Sequence, residues 1–159
     1  MSAVIGPVPL GIRAMRSVDV PAAMRNELAA YTHPWTEGIL LDCIRVGYHC
    51  VVAAVDGRVI GHGVMSVAAG EAHVLNLCVH PDWQGVGYGR SLLQYLVDAA
   101  TAQKATHMFL EVRESNAVAQ RLYETSGFNE IAQRPGYYPA GRRRETALVY
   151  ARTLGNVTS

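Results

Sequence analysis

A chain of 159 residues has room for one domain of ordinary size and not for two independent cores. Half of its residues are hydrophobic and 17% are charged, which excludes a largely disordered chain. Fourteen Lys plus Arg against thirteen Asp plus Glu leave a net charge of +1, so no whole-molecule basic field points to nonspecific nucleic-acid binding.

Leu10 to Arg16 alternates as a first strand. Ser17 or Asp19 can cap a helix running from about Pro21 to Ala30. His33-Pro34-Trp35 is a loop, and Thr36 caps a second short helix with Glu37 near the positive end of its dipole. Tyr48 to Val55 is a Val/Ala-rich strand ending at Asp56-Gly57, a strong two-residue hairpin signal, and Arg58 to Ala68 returns as the next strand. Ala69-Gly70 allows another reversal, and Ala72 to Val79 reads as a strand buried on both faces. After a glycine-rich loop, a helix from about Gly87 to Gln103 repeats Leu92, Leu93, Leu96, Ala99 and Ala100 at helical spacing. Thr106 to Arg113 is strand-like, and Ser115 starts a helix that Gly127 ends. Phe128 to Arg134 and Glu145 to Arg152 are two closing strands around a Gly/Pro/Tyr/Arg loop. The fold class is a mixed α/β domain, with a parallel strand-helix-strand unit inside an otherwise antiparallel sheet. Such sheets offer a crevice at the carboxyl ends of neighbouring parallel strands. Ser2 to Pro9 and Gly155 to Ser159 are expected loose ends.

Cys43, Cys50 and Cys78 form no Cys-x-x-Cys pair, and the six histidines show no His-Glu-x-x-His spacing, so neither a disulfide framework nor a metal site is expected. Met1 to Leu10 lacks a basic stretch followed by a long apolar one, and no run approaches the roughly 20 apolar residues that cross a bilayer. The expectation is a soluble cytoplasmic protein with no membrane partner and no direct nucleic-acid partner, a monomer or weak oligomer.

The chemistry concentrates in Val79-His80-Pro81-Asp82-Trp83-Gln84-Gly85-Val86-Gly87-Tyr88-Gly89-Arg90, which follows a strand and opens a helix. Alternating glycines let backbone approach an anion closely. The opening amides of a helix have no acceptor within it, its dipole adds partial positive charge, and Arg90 adds a full one. A diphosphate suits that arrangement. The dinucleotide fingerprint fails on spacing, because its third glycine would fall on Arg90 or Leu92, and a Walker A loop fails for lack of Gly-Lys-Ser/Thr.

Gln84-x-x-Gly87-x-Gly89 resembles the acyl-CoA loop of the GNAT superfamily of N-acetyltransferases, patterned Gln/Arg-x-x-Gly-x-Gly/Ala, and the order of elements from about residue 10 to 152 is similar to that fold. Five further segments, in order, resemble the RimI family within it, the ribosomal-protein-alanine N-acetyltransferases. They are His33-Pro34-Trp35-Thr36-Glu37, Asn76-Leu77-Cys78-Val79, Leu110-Glu111-Val112-Arg113, Leu122-Tyr123-Glu124-Thr125-Ser126-Gly127-Phe128 and Tyr137-Tyr138-Pro139. The resemblance implies a single acetyltransferase domain over residues 1–159, a sheet splayed at its central parallel pair, and acetyl-CoA as co-substrate with no metal. It implies direct acetyl transfer in a ternary complex to the N-terminal alanine of a small-subunit ribosomal protein, number eighteen. Another protein N-terminus or a small-molecule amine is the alternative acceptor, and a non-enzymatic acyl-CoA-binding module a further one.

Acetyl transfer from a thioester to an amine needs a base for the amine, a donor for the carbonyl oxygen and an acid for the departing thiolate. A free α-amine titrates about 2.5 units below lysine, so neutralising it costs about 3.4 kcal/mol less, and one carboxylate suffices. The resemblance assigns the base to Glu111, whose alternative role is a strand-end ion pair with Arg113 on the same face. It assigns the acid to Tyr123, alternatively a helix aromatic packed on the core. It gives the backbone of Leu77, Cys78 and Val79 to the thioester oxygen and pantetheine arm, the loop Gln84, Gly85, Val86, Gly87, Tyr88, Gly89 and Arg90 to the diphosphate, and Asn116 to the CoA arm. Cys78, in an apolar strand without a neighbouring base, reads as a small core residue rather than a nucleophile. Trp35, Tyr137 and Tyr138 would wall the acceptor groove, with ordinary loop packing as the alternative. Arg142-Arg143-Arg144 departs from the acidic stretch usual in the RimI family, and reads as a solvated charge run.

Overall fold

A computed structural model describes residues 9–155. The expected loose ends lie outside the described residues, apart from Pro9 and Gly155. The elements follow the predicted order: β1 (Gly11–Ala14), α1 (Val20–Ala30), α2 (Glu37–Arg45), β2 (His49–Val55), β3 (Arg58–Ala68), β4 (Glu71–Val79), α3 (Tyr88–Ala102), β5 (His107–Arg113), α4 (Ala117–Thr125), β6 (Asn129–Ala140) and β7 (Arg143–Thr153).

Local chemistry sets most boundaries. Thr36 caps α2 by accepting from the Ile39 amide at 3.2 Å. The two predicted hairpins turn on paired left-handed residues, Asp56 and Gly57 at φ 50° and 78°, Ala69 and Gly70 at 53° and 80°. Gly127, at φ 91°, follows the last turn of α4. The start of α1 differs from expectation. Ser17–Asp19 form a short 3-10 turn, and the Asp19 carboxylate points back to the Arg13 guanidinium at 2.8 and 2.9 Å and the Arg16 amide at 2.8 Å instead of capping the helix. Those bonds, led by the one from Arg13, hold its carboxyl at a pKa of about 2.

The strands form one seven-stranded sheet in the order β1-β2-β3-β4-β5-β7-β6. β4 and β5 are parallel, Glu71–Val74 pairing with His107–Leu110, and β4 runs on to Val79 and β5 to Arg113 beyond those pairs. β5 pairs antiparallel with β7 along its whole length.

The described chain falls into two compact units, one holding the residues up to Val64 with Asn76–Tyr95, the other Met65–Leu75 with the residues from Leu96. In the first, Met15, Val20, Ala23, Leu40, Cys43, Cys50, Val52 and Val64 form a buried cluster. Each fully buried aliphatic side chain of this kind contributes about 1.5–3 kcal/mol. Gly61 is required by packing: a Cβ there would lie 2.6 Å from the Cys78 carbonyl oxygen, so β3 passes β4 with no room for a side chain. In the second unit, Met108, Leu110 and Val112 form the buried face of β5, and the Tyr123 ring lies 6.1 Å from both Phe128 and Tyr150.

Two expectations are corrected here. β4 is not buried on both faces: Glu71, His73 and Leu75 are exposed while Ala72, Val74 and Asn76 are buried, because the His73 ring lies outside the core, stacked 5.2 Å from Phe109. Only from Leu77 to Val79 does the strand lose its exposed face. The predicted Gly/Pro/Tyr/Arg loop is instead the far part of a long β6–β7 hairpin. β6 absorbs Pro135-Gly136 in an irregularity between Arg134 and Tyr138, with Gly136 at φ 65°, and then resumes pairing, Tyr138 opposite Glu145.

Candidate active site

In the first unit, the glycine loop is built from both ends. His80 opens it, its amide donating to the Ile60 carbonyl at 2.8 Å and its Nδ1 accepting from the Asp82 amide at 3.1 Å. Gln84 Nε2 donates to the Val79 carbonyl at 2.8 Å, which ties the loop to the end of β4. Gly85 and Gly87 take φ of 83° and 100°, and a Cβ on either would meet nothing within 4 Å. Side chains are therefore excluded by backbone conformation and not by neighbours, and the cradle stays open for a ligand. Ser91 N–H donates to the Gly87 carbonyl at 3.1 Å, so α3 starts directly from the loop with its positive end there. The residues fit a diphosphate.

The strand before the loop is braced from below. The Tyr31 hydroxyl donates to the Leu77 carbonyl. Cys78 is 1% exposed, and burial, with Glu27 nearby, pushes its thiol far up, the state of an inert core residue. Beneath it lies a polar network that sequence reading did not single out. Glu27, 1% exposed, accepts from the Trp35 amide at 2.9 Å, His62 Nε2 at 2.9 Å and Asn76 Nδ2 at 2.7 Å. Facing a carboxylate, Nε2 of His62 carries the ring proton. Burial alone would raise the Glu27 pKa, but the bonds from His62, Trp35 and Asn76 outweigh it and hold the carboxyl below its ordinary value. Glu27, His62 and Cys78 place potential ligand atoms within 4.8 Å of one another, but the Glu27 oxygens are already committed to three donors, so the set works as a hydrogen-bond network. The network fixes the Trp35 backbone, and the partly buried Trp35 side chain packs against the buried cluster. The sequence did carry a signal: Val20, Ala23 and Glu27 share one face of α1, and His62 interrupts an apolar strand.

In the second unit, Glu111 stands on the opposite face of β5 from Met108, Leu110 and Val112. The expected alternative ion pair with Arg113 does not form. Arg113 turns to Glu145 at 3.1 Å and the Pro139 carbonyl at 2.8 Å, because the Glu145 carboxylate, anchored by the Ser115 amide at 2.6 Å, is the better-held acceptor. Glu111 pairs instead with Arg134 Nε of β6 at 2.8 Å. With side-chain exposures of 58% for Arg134 and 26% for Glu111, this pair is worth about 0–1 kcal/mol and is easily exchanged for another partner.

Two cation–ring contacts order the tyrosines: Arg134 lies 5.2 Å from the Tyr137 ring centre and Arg113 4.5 Å from that of Tyr138. Burial, reinforced by the Glu111 carboxylate, pushes the Tyr138 hydroxyl up to about 12. Burial, reinforced by Tyr138, pushes Tyr123 higher still. The Tyr138 hydroxyl thus lies within electrostatic reach of both the Glu111 carboxylate and the Tyr123 hydroxyl. Asn116 is the N-cap of α4, its Oδ1 accepting from Ala119 N–H at 3.1 Å, so its carbonyl oxygen is already committed. The Arg run is divided: Arg144 braces the hairpin through the Gly136 carbonyl at 2.5 Å and the Tyr137 carbonyl at 3.0 Å, while Arg142 and Arg143 are exposed.

Residues 17–128 match the Acetyltransferase (GNAT) family. The chain belongs to that family and is an N-acetyltransferase. The ribosomal protein bS18-alanine N-acetyltransferase of Escherichia coli K12 is 36% identical to it over 140 residues, 88% of this chain and 95% of that one. The enzyme of the same name from Haemophilus influenzae is 33% identical over 141 residues, 88% of this chain and 96% of that one. The crystal structure of the Escherichia coli ribosomal-protein-S18-alanine N-acetyltransferase superposes with a TM-score of 0.87 at 33% identity, covering 94% of this chain and 97% of that one. Ard1 of Thermoplasma volcanium gives 0.85 at 27% identity, covering 94% and 100%. An acetyltransferase of Salmonella typhimurium solved with acetyl-CoA shares the fold at 23% identity, with a TM-score of 0.77 over 95% of this chain and 97% of that one. No helix among the described residues is long and apolar enough to cross a membrane.

Proposed function

We propose that this chain, as one acetyltransferase domain, transfers the acetyl group of acetyl-CoA directly to the N-terminal alanine amine of ribosomal protein bS18. The observation that carries this reading is 36% identity to an enzyme of that name over 95% of that enzyme's length. The open cradle at Gly85 and Gly87, at the positive end of α3, supports a diphosphate-bearing donor, and acetyl-CoA, when bound, supplies the activated acyl group.

The chain's own residues supply the rest. Glu111, loosely held by Arg134, takes a proton from the incoming α-ammonium, directly or through water. The low cost of neutralising an α-amine lets a single carboxylate do this. Tyr123, kept fully protonated by its buried setting, holds the proton that the departing thiolate needs. Tyr138, whose hydroxyl feels the Glu111 carboxylate, and Tyr137, nearly half exposed, line the acceptor side. The exposed Arg142 and Arg143 favour a second acceptor reading, an N-terminus other than that of bS18.

A peptide panel varied over its first three residues tests the reading, with released CoA as the signal. Fastest turnover is expected on an Ala-initiated peptide with the bS18 N-terminus. Faster turnover of another N-terminus or of free polyamines would overturn that assignment. Absence of heat on titrating acetyl-CoA would overturn donor and acceptor together.

A further inference from the structure

The first unit holds a second concentration of positive charge that the proposed chemistry does not use. Arg25 and Asn26 of α1, Arg58 at the start of β3, and His80 and Trp83 at the entry to the glycine loop line a cavity of about 90 Å³. Roughly 10–15 Å³ of such space holds one water, so the cavity admits a small ion but no nucleotide. Among the described residues, the Arg25 and Arg58 side chains make no ion pair or hydrogen bond. Asn26 is 2% exposed, yet its Nδ2 has no acceptor. A buried amide N–H group left unpaired is costly, and its presence on this wall marks where an acceptor belongs. Because His80 Nδ1 already accepts from the Asp82 amide, the neutral ring carries its proton on Nε2, a further donor. The Asp82 carboxylate, 80% exposed, lies 3.8 Å from His80 Nδ1.

We propose that this cavity binds a phosphate group, held by the two guanidiniums and by Asn26 Nδ2, at a site separate from the glycine cradle. The group has two sources: free inorganic phosphate, or the ribose phosphate of the CoA donor, the second resting on the function proposed above. The experiment uses the full chain. Inorganic phosphate is titrated against chloride at matched ionic strength while the Trp83 indole and the Asn26 amide are followed by NMR. CoA and dephospho-CoA are titrated in parallel by calorimetry.

For free phosphate, a saturable shift is expected at both groups, weakened by about tenfold or more in the Arg25→Ala/Arg58→Ala variant. For the donor's phosphate, the variant instead loses affinity for CoA and keeps it for dephospho-CoA. Both arginines are exposed, so the variant keeps the fold, which an unchanged circular dichroism spectrum verifies. No saturable response to phosphate, combined with unchanged CoA and dephospho-CoA affinities in the variant, overturns the site. Loss of all CoA binding by the wild type overturns the proposed function and leaves the inorganic-phosphate arm to decide the site.

Discussion

Replacing Glu27 with Ala removes a buried acceptor and strands three donors: the Trp35 amide, the His62 imidazole and the Asn76 amide. Each unpaired buried donor costs about 1–3 kcal/mol. Their sum is an upper bound, because the cavity left behind can admit water and the Asn76 amide can rotate. The lower part of that sum, about 3–5 kcal/mol, is the value expected here. At about 2–4 °C per kcal/mol for a domain of this size, the thermal midpoint falls by roughly 6–20 °C. Glu27→Gln keeps the shape and one carbonyl acceptor for the Trp35 amide, and the His62 tautomer can switch to accept from its NH2, so about 1–2 kcal/mol is expected. Urea denaturation at neutral pH measures both variants, and amide exchange at Trp35 reports the loop directly. Equal stability of Glu27→Ala and wild type within about 0.5 kcal/mol, or exchange at Trp35 no faster than before, would refute the argument that the network holds the loop.

Other consequences are as direct. Glu111→Gln is expected to lower turnover by about 10²-fold or more, while calorimetric acetyl-CoA affinity stays the same; unchanged turnover removes Glu111 from the mechanism. Tyr123→Phe keeps the ring packing with Phe128 and Tyr150, so the urea midpoint barely moves while kcat drops by about 10-fold or more. Wild-type kcat in that variant removes the acid assignment. Asp19 has its folded pKa lowered from 3.8 to about 2, so its contribution is present above its unfolded pKa and is lost as pH falls toward the folded value. Asp19→Asn should therefore destabilise by about 1–2 kcal/mol at neutral pH and converge with wild type near pH 2; a gap that widens on acidification would contradict this sign.

The features legible in the sequence are those whose cause is local. Thr36 caps because its hydroxyl reaches an amide three residues on, and Asp56-Gly57 turns because those two residues tolerate positive φ. The glycine loop announced itself by spacing between a strand and a helix. What the sequence hid depends on pairs far apart along the chain. Glu27, His62 and Asn76 meet only when α1, β3 and β4 assemble. The partner of Glu111 is Arg134 rather than nearby Arg113, because Arg113 is drawn to a carboxylate that the β6–β7 hairpin sets beside it. Pro135-Gly136 reads locally as a strand end, yet the β7 ladder carries β6 past it in an irregularity that sets Tyr137 and Tyr138.

All three thiols are buried, with Cys50 pushed up to about 11 and Cys43 and Cys78 also raised. Attack on a disulfide reagent requires thiolate and access, and the native chain offers neither at neutral pH. A chromogenic disulfide reagent added to an acetylation reaction will therefore register only coenzyme set free by turnover. The same reagent in urea will give a burst of three equivalents per chain as the molecule opens, so one reagent reports both catalysis and unfolding.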